Sequence, residues 1–543
     1  MIRRQNRAIS VSCAALVLTA VFPSCSARRI PDSGLRPEPV AFTLYSADLD
    51  THRPFTDSVA REITARTGVV LEFSGPRQEN DDEISMMIAN GEYPDLIYAK
   101  SALVRLVDAG AVIPLDGYIK DFGRNMTELY GNKMARLRLT VDDPRIYSVG
   151  TFDIRTDPLE ASGSLQIQNA VLKELGYPRI RTLDDYENAM LAYRKKYPVI
   201  NGHRTIGLSL LTDSWHWYVG LSNPGSYVLG LPDDGQWNVD QRTMRVQYKF
   251  LNPDMKIFYR WLNRLYHEGL LDPESFTQHH DIWESKLEGG YVLGTSYPHW
   301  GLKGIHSRMM QKDMSERSMA YLPVTVTEMQ LEPSFKNYGF SGGWGIAISR
   351  SCPYPERAFR FLDWMCSEEA QVLVNWGIKD QHYYIDRNGR RRALPGADDE
   401  STGVGAWVYP FPQAGPGRLD STGNSIVRLS PESVMEGYSD AERETLAAYG
   451  VSLWKELFPT AEELGESRYG QMWQYPLSAA MSARLDDADR IVKESLIKMI
   501  IGDSGNFDAA WDRMTAEITA AGISEAEDEL TELVATKIKL WEQ

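Results

Sequence analysis

The stretch "NGEYPDLIYA" (Asn90–Ala99) places a helix end directly before a short apolar strand. Gly91 ends the preceding helical pattern, and Pro94 prevents its continuation because proline has no amide hydrogen and clashes with the preceding turn. The run Leu96–Ala99 is apolar without polar alternation, which is typical of a parallel strand buried on both faces. The stretch therefore predicts a central strand of a parallel sheet.

Strand and helix patterns alternate on both sides of this stretch. Val40–Asp48 predicts a first strand, and a helix ending at Gly68 is followed by a predicted strand at Val69–Phe73. Alternation of this kind at short intervals predicts an α/β fold with helices covering a parallel sheet. Ligands bind beyond the carboxyl ends of such strands, so we expect Ser46–Asp48 and Tyr98–Ser101 at the edge of a site.

Length and charge restrict the class of protein. The chain has 543 residues, 43% of them apolar, which is enough for two to four globular domains. A formal charge of −16 argues against non-specific nucleic-acid binding and predicts no nucleic-acid partner. Cys352 and Cys366 flank a predicted helix and would lie roughly 20 Å apart, too far for a disulfide. Neither cysteine has the spacing or neighbours of a metal ligand, and we predict no metal and no cofactor.

The N-terminus has the pattern of an export signal. Three arginines precede an apolar stretch of about fifteen residues, which is too short for a convincing membrane span. Cys25 follows Ser24 in "PSCSARR", which resembles a bacterial lipobox. We predict a signal peptide over residues 1–24, a lipidated Cys25 and a polar tether over residues 25–38. Plain secretion without lipidation is the alternative.

Several longer phrases resemble one known family. They are "NGEYPDLIYA", "VLKELGYPRIRTLDDYENAMLAYRKKYPVINGHRTIGLS", "FYRWLNRLYHEGLLDPESF" and "SGGWGIAISRSCPYPERAFRFLDWMCSEEAQVLVNWGIKDQHYY". Together they are similar to the extracellular solute-binding proteins of family 1, in the long subgroup of sugar-binding lipoproteins from Gram-positive bacteria. The resemblance extends from about Val40 to the C-terminus.

The resemblance implies a two-lobe periplasmic-binding-protein-like fold of type II, maltose-binding-protein-like, with hinge crossovers and an extended helical C-terminal part. Lobe 1 would hold residues 39–150 and, with the hinge, 325–385. Lobe 2 would hold residues 151–324 and 386–543, the latter mostly helical. Within "YPVINGHRTIG", the segment Asn201–Thr205 lacks the carboxylates of the calcium loop found in the alginate-binding relatives, so we predict no calcium there.

The resemblance also implies a function. A monomeric receptor, lipid-anchored to the outer face of the cytoplasmic membrane, would capture a carbohydrate in the interlobe cleft. It would deliver this ligand, an oligosaccharide in our interpretation, to the permease subunits of an ABC importer, and it would not be an enzyme. An exported glycan hydrolase is one alternative, although no pair of carboxylates stands in a catalytic pattern. A binding protein for another ligand, such as a peptide, is a second alternative.

Sugar sites combine aromatic rings that stack on the pyranose with a few polar groups. In lobe 2, "TDSWHWYVG" contains Trp215 and Trp217, which would share one face of a strand as a stacking surface or lie in the core. Trp300, in "YPHWG", and Trp344, in "SGGWG", are further candidates for stacking. The phrase containing Trp376 and His382 is interpreted as structural.

Polar candidates in lobe 1 follow the first and third predicted strands. Ser46 and Asp48 come after the first strand, and Asp48 either accepts sugar hydroxyls or is an ordinary surface carboxylate. Lys100 follows the third strand and would suit an acidic sugar, or is a solvated lysine ahead of a helix.

Overall fold

The computed structural model describes residues 39–47, 54–75, 83–151 and 158–542. The strands are β1 (Val40–Ser46), β2 (Val69–Ser74), β3 (Leu96–Tyr98), β4 (Ser148–Gly150), β5 (Leu165–Gln168), β6 (Val199–Ile200), β7 (His203–Arg204), β8 (Ile206–Leu208), β9 (Trp237–Val239), β10 (Val246–Tyr248), β11 (Val292–Thr295), β12 (Met319–Leu322), β13 (Gly345–Ile348), β14 (Tyr383–Ile385) and β15 (Arg391–Ala393). The α-helices are α1 (Ser58–Thr67), α2 (Glu83–Asn90), α3 (Leu103–Asp108), α4 (Asp116–Phe122), α5 (Arg124–Tyr130), α6 (Asn169–Glu174), α7 (Leu183–Lys196), α8 (Asn223–Tyr227), α9 (Lys256–His267), α10 (His280–Glu288), α11 (His299–Gln311), α12 (Pro355–Met365), α13 (Glu368–Trp376), α14 (Pro431–Gly437), α15 (Asp440–Ala448), α16 (Ala461–Leu464), α17 (Ala479–Ile501), α18 (Phe507–Ala520) and α19 (Ile523–Trp541).

Lobe 1 is built on a mixed sheet with the strand order β2-β1-β3-β13-β4. The strands β1, β2 and β3 are parallel, as the sequence predicts, with Leu44 opposite both Phe73 and Leu96. The later strand β13 returns from the second lobe and pairs antiparallel with β3 and β4. A parallel core with one returning strand therefore places β3 at the centre of the sheet.

The stretch Asn90–Ala99 has the predicted architecture. The helix α2 ends at Asn90, and Gly91 adopts φ 68°, a left-handed conformation that glycine reaches without a Cβ penalty. All three residues of β3 are buried. The expectation that Tyr98 reaches the edge of the site is wrong, because its ring is buried and its hydroxyl lies 2.5 Å from that of Tyr409.

Lobe 2 contains a second sheet with the order β12-β5-β11-β8. Only β11 and β8 are parallel among these neighbours, whereas β5 pairs antiparallel with both β11 and β12. Thr182 caps α7 through a capping box with Asp185, as its position before an amphipathic pattern predicts. The C-terminal helices α17, α18 and α19 pack into the same core through residues such as Val492 and Leu530.

The cores show where the described chain changes lobe. It leaves lobe 1 after β4 and returns between Phe335, in the lobe 2 core, and Phe340, in the lobe 1 core. It crosses again between Val427, in lobe 1, and Leu446, in lobe 2.

The prediction that residues 386–543 all belong to lobe 2 is wrong for their first part. Trp407, Phe411 and Ile426 are buried in the lobe 1 core. The indole of Trp407 packs edge-on against Phe55, with ring centroids 4.7 Å apart, and stacks on Phe73 at 5.4 Å. These contacts place the segment around Trp407 in lobe 1.

Two further features concern the chemistry of the chain. Cys352 and Cys366 are free thiols, both buried. Among the described residues, no helix combines the length and apolar character needed to cross a bilayer. The predicted lipidation site Cys25 and the candidate ligand residue Asp48 lie outside the described residues.

Candidate functional site

A cavity of about 1310 Å³ lies between the two lobes. Its lobe 2 wall includes Glu160, His299 and Tyr321, and its lobe 1 wall includes Trp376 and Arg391. The volume exceeds the range of roughly 300–1,000 Å³ typical of pockets for drug-sized molecules. Because the walls come from both lobes, a ligand in this cavity would contact both of them.

The lobe 2 wall carries a polar group around the start of α11. His299 lies with Nε2 3.3 Å from a carboxylate oxygen of Glu160 and with Nδ1 3.2 Å from the hydroxyl of Tyr321. Glu442 lines the same cavity, and burial raises the pKa of its carboxyl above the usual value. Burial also lowers the pKa of His306 to about 3, so this imidazole stays neutral. Its Nε2 accepts a hydrogen bond from the amide of Met319.

The lobe 1 wall is an aromatic surface bordered by paired charges. The guanidinium groups of Arg391 and Arg428 lie 5.4 and 5.7 Å from the ring of Trp376. Arg391 pairs with Asp420, and Arg428 donates to Asp398. Since each arginine has its own carboxylate within the lobe, these charges are compensated before any ligand enters.

The interpretation of Trp376 as purely structural is therefore incomplete, because its side chain lines the cavity. His382 from the same phrase is buried, and its Nδ1 accepts a hydrogen bond from the amide of Ile378 at 2.9 Å. Sequence reasoning also missed Arg391 and Arg428. For Arg391 the basic run "RNGRRR" was the available signal, but a run of charge more often marks a solvated face. Arg428 lies outside this run.

Two exposed indoles lie together on lobe 2, and neither is among the residues that line this cavity. Trp215 is 43% exposed and Trp300 is 59% exposed. Their ring centroids are 6.1 Å apart and their planes differ by 26°. Trp300 directly follows the cavity residue His299, and its edge packs on Tyr297 at 5.4 Å. The structure thus brings together two predicted residues that are 85 positions apart in the chain.

The prediction that Trp217 joins Trp215 on one face of a strand is wrong. The segment is a turn leading into a π-helical stretch, Tyr218–Ser222, with Ser214 at φ 41°. Successive helical residues are separated by about 100°, so positions i and i+2 point in different directions. Trp217 is accordingly 4% exposed and belongs to the lobe 2 core.

The candidates in lobe 1 form a separate group at the strand ends. Ser46 ends β1 and is buried, and Lys100 begins a short 3₁₀ turn after β3. The ammonium of Lys100 lies 5.0 Å from the ring of Trp344, which packs edge-on against Trp473 at 4.7 Å. Trp473, whose role sequence reasoning missed, comes from a segment distant in the chain. Within the described part of the chain, no group of three or more His, Cys, Asp or Glu side chains could hold a metal ion.

Two α/β lobes that enclose a common cavity define a two-lobe ligand-binding protein. The family model described as "Bacterial extracellular solute-binding protein" matches residues 58–377. The chain belongs to this family, which confirms the resemblance seen in the sequence.

Two curated relatives match part of the chain. Lipoprotein LipO of Bacillus subtilis (strain 168) is 24% identical over 331 residues, which are 57% of this chain and 60% of LipO. The fructooligosaccharide ABC transporter substrate-binding protein FusA of Streptococcus pneumoniae is 24% identical over 264 residues, 46% of this chain and 47% of FusA. The matches thus span about half to three fifths of each relative.

Solved structures resemble the fold over nearly the whole chain. The alginate-binding protein AlgQ2, solved without calcium ion, has a TM-score of 0.64 and 15% identity, covering 94% of this chain and 99% of AlgQ2. FusA of S. pneumoniae in complex with kestose has a TM-score of 0.62 and 17% identity, covering 93% and 99%. At these identities the likeness shows the fold, which confirms the two-lobe prediction.

Proposed function

We propose that the chain captures a carbohydrate, in particular an oligosaccharide, in the interlobe cavity and delivers it to an ABC importer. The observation that carries this proposal is the exposed indole pair Trp215 and Trp300 on lobe 2, whose second member directly follows the cavity residue His299. Flat aromatic faces bind the apolar faces of sugar rings, and the surrounding polar groups select hydroxyls. The relatives named for fructooligosaccharide and alginate binding support the same ligand class.

The proposal also includes the candidate residues of lobe 1 as ligand contacts. These candidates lie at strand termini: Ser46 ends β1, Lys100 follows β3 and Trp344 precedes β13. Trp376 adds an aromatic surface on the cavity wall. In this arrangement a sugar contacts both lobes, and its binding energy favours the closed state.

The remaining parts of the proposal concern location and partners. Lipidation of Cys25 would anchor a monomer to the outer face of the cytoplasmic membrane, where permease subunits are accessible. The match to Lipoprotein LipO supports this location. The chain is proposed to bind its ligand without chemical turnover, as expected of a receptor.

Thermal-shift measurements on residues 26–543 test the proposal. A panel of kestose, an alginate oligosaccharide and maltotriose covers neutral and acidic sugars. A sugar at 100 times its dissociation constant should stabilise the protein by about 2.7 kcal/mol. Chromatography of the same samples should return the sugar intact. Stabilisation by peptides alone, or cleavage of a bound sugar, would overturn the proposal.

A further inference from the structure

His216 lies directly behind the exposed indole of Trp215. Their ring centroids are 4.1 Å apart and their planes differ by 30°. The imidazole is only 14% exposed, whereas Trp215 is among the exposed large side chains of the chain. The indole therefore rests one face on a largely buried imidazole and presents the other to solvent.

Tyr297 fixes the orientation of this imidazole. Its hydroxyl lies 2.5 Å from Nδ1 of His216. Burial, followed by the negative charges of Asp213 and Glu284, raises the pKa of Tyr297 well above its ordinary value, so the phenol keeps its proton. The phenol and Nδ1 form a hydrogen bond in which either group can donate, and Nε2 of the imidazole lies 4.0 Å from Oδ1 of Asp213.

Asp213 is itself held by the neighbouring helix. Its Oδ2 accepts a hydrogen bond from the amide of His280 at 3.2 Å and lies 3.6 Å from Nδ1 of His279. The ring of His280 also stacks on His216 at 5.1 Å with an interplanar angle of 15°. The imidazole is thus enclosed by a carboxylate, a phenol and a second imidazole.

The backbone of the turn is anchored at the same place. The amide of His216 donates to the carbonyl of Asp213 at 2.9 Å, and Nζ of Lys493 on α17 donates to the carbonyl of Ser214 at 3.1 Å. Backbone and imidazole together leave the indole of Trp215 little freedom. A preorganised aromatic face loses less entropy when a sugar stacks on it.

We propose that His216 is a positioning residue for carbohydrate capture, which holds the indole of Trp215 in register with that of Trp300 through its bond with Tyr297. The inference rests on the proposed function, because it assumes that the two indoles receive the sugar. The imidazole itself contacts Trp215 and not the ligand.

Circular dichroism of the ligand-free protein tests the geometry. Two indoles whose centroids are 6.1 Å apart couple electronically and give a paired band whose strength depends on their mutual orientation. His216→Ala should weaken this band strongly. His216→Asn should preserve it, because the side-chain amide can replace Nδ1 as the hydrogen-bond partner of the Tyr297 hydroxyl. Trp300→Ala identifies the band, since it removes one of the two indoles.

Affinity for the three panel sugars tests the consequence. His216→Ala should weaken binding about tenfold, and His216→Asn should restore affinity to within about twofold of the native chain. Equal bands and affinities in the native chain and His216→Ala would overturn the inference, as would a failure of His216→Asn to restore either. If His216→Ala does not fold, Tyr297→Phe removes the same hydrogen bond with the imidazole in place.

The two proposals fail in different ways. Unchanged sugar affinity in Trp215→Ala and Trp300→Ala would remove the indoles from the ligand site and so contradict the proposed site. The coupled band of the ligand-free protein would still decide whether His216 orients Trp215.

Discussion

Single side chains of the same type have different roles in this chain. Trp215 and Trp217 are two positions apart, yet one is 43% exposed and the other is 4% exposed in the core. The difference comes from the helical turn that separates their directions. Composition identifies tryptophans as candidates for sugar stacking, whereas local geometry decides which of them can stack.

Replacement of Trp300 by alanine should weaken sugar binding at least tenfold, equivalent to about 1.4 kcal/mol. The reason is the loss of one exposed stacking face of the indole pair. Because the side chain is already 59% exposed, the free energy of unfolding should change by only about 0.5 kcal/mol. Titration calorimetry and urea unfolding measure the two quantities, and an unchanged dissociation constant would exclude Trp300 from the site.

Trp217→Ala is the matched comparison within the same lobe. Truncation of a buried tryptophan removes apolar contacts and leaves a cavity, which costs about 3–5 kcal/mol. We therefore expect this variant to unfold at a much lower midpoint concentration of urea. A stability change as small as that of Trp300→Ala would contradict its position in the core.

At the scale of elements, a tight hairpin forms in the segment where we predict no calcium. The strands β6 and β7 are joined by Asn201 and Gly202, which adopt φ 50° and 81°. Two residues with positive φ are typical of a hairpin turn whose twist matches its strands. Asn201 also donates through Nδ2 to the carbonyl of Gly289 at 2.9 Å, so the turn is held by side-chain and backbone groups.

Gly202→Ala should lower the free energy of unfolding by about 1 kcal/mol, because alanine is strained in the left-handed region. A Cβ at this position would have open space, so no steric clash adds to the cost. Gly117 offers the control, since it lies in α4 with equally open space and without positive φ. Gly117→Ala should be neutral or stabilising, and equal losses in both variants would refute the conformational explanation.

Calcium should not stabilise this hairpin. The segment Asn201–Thr205 contains no carboxylate, and calcium sites require several oxygen ligands, including charged ones. Melting curves recorded with millimolar calcium and with a chelator should coincide. A calcium-dependent rise of the melting temperature, lost on replacing this segment with an unrelated turn, would show that the prediction is wrong.

At the scale of the whole molecule, three crossings of the described chain join lobes that enclose one cavity. Their cores are separate, so each lobe can move as a body while the connecting segments absorb the change. Ligand binding should therefore reduce the radius of gyration measured by small-angle X-ray scattering with a panel sugar that gives a thermal shift. Trp300→Ala at the same sugar concentration should show a smaller reduction, and an unchanged radius for the saturated native chain would contradict closure.

Stability should fall between pH 5 and pH 8 because of buried carboxyl groups. Burial raises the pKa of Glu332 to about 8 and that of Asp489 to about 6. Each group binds its proton more tightly in the folded state than in the unfolded one. Its contribution is complete below the unfolded pKa and is lost as pH rises through the folded value, by at most about 1.4 kcal/mol per pH unit and group.

Glu332→Gln isolates one of these contributions, because glutamine keeps the shape and carries no titrating group. Its unfolding free energy should decline less steeply with pH than that of the native chain. Glu517→Gln, an exposed position on α18, should leave the slope unchanged. Equal slopes in the native chain and Glu332→Gln, measured by urea unfolding at several pH values, would contradict the effect.

The sequence by itself determined the fold class and those elements whose ends carry local signals. Glycine, proline and apolar periodicity act within a few residues, which is why the end of α2 at Asn90, the buried β3 and the cap of α7 at Thr182 were all predictable. Only the tertiary structure decided that Trp407 belongs to lobe 1, where its indole donates to Asp57, 350 positions away in sequence. It also placed Trp376 on the cavity wall and Trp217 in the core. Exposure of a side chain depends on which distant segments pack around it, and no local pattern contains that information.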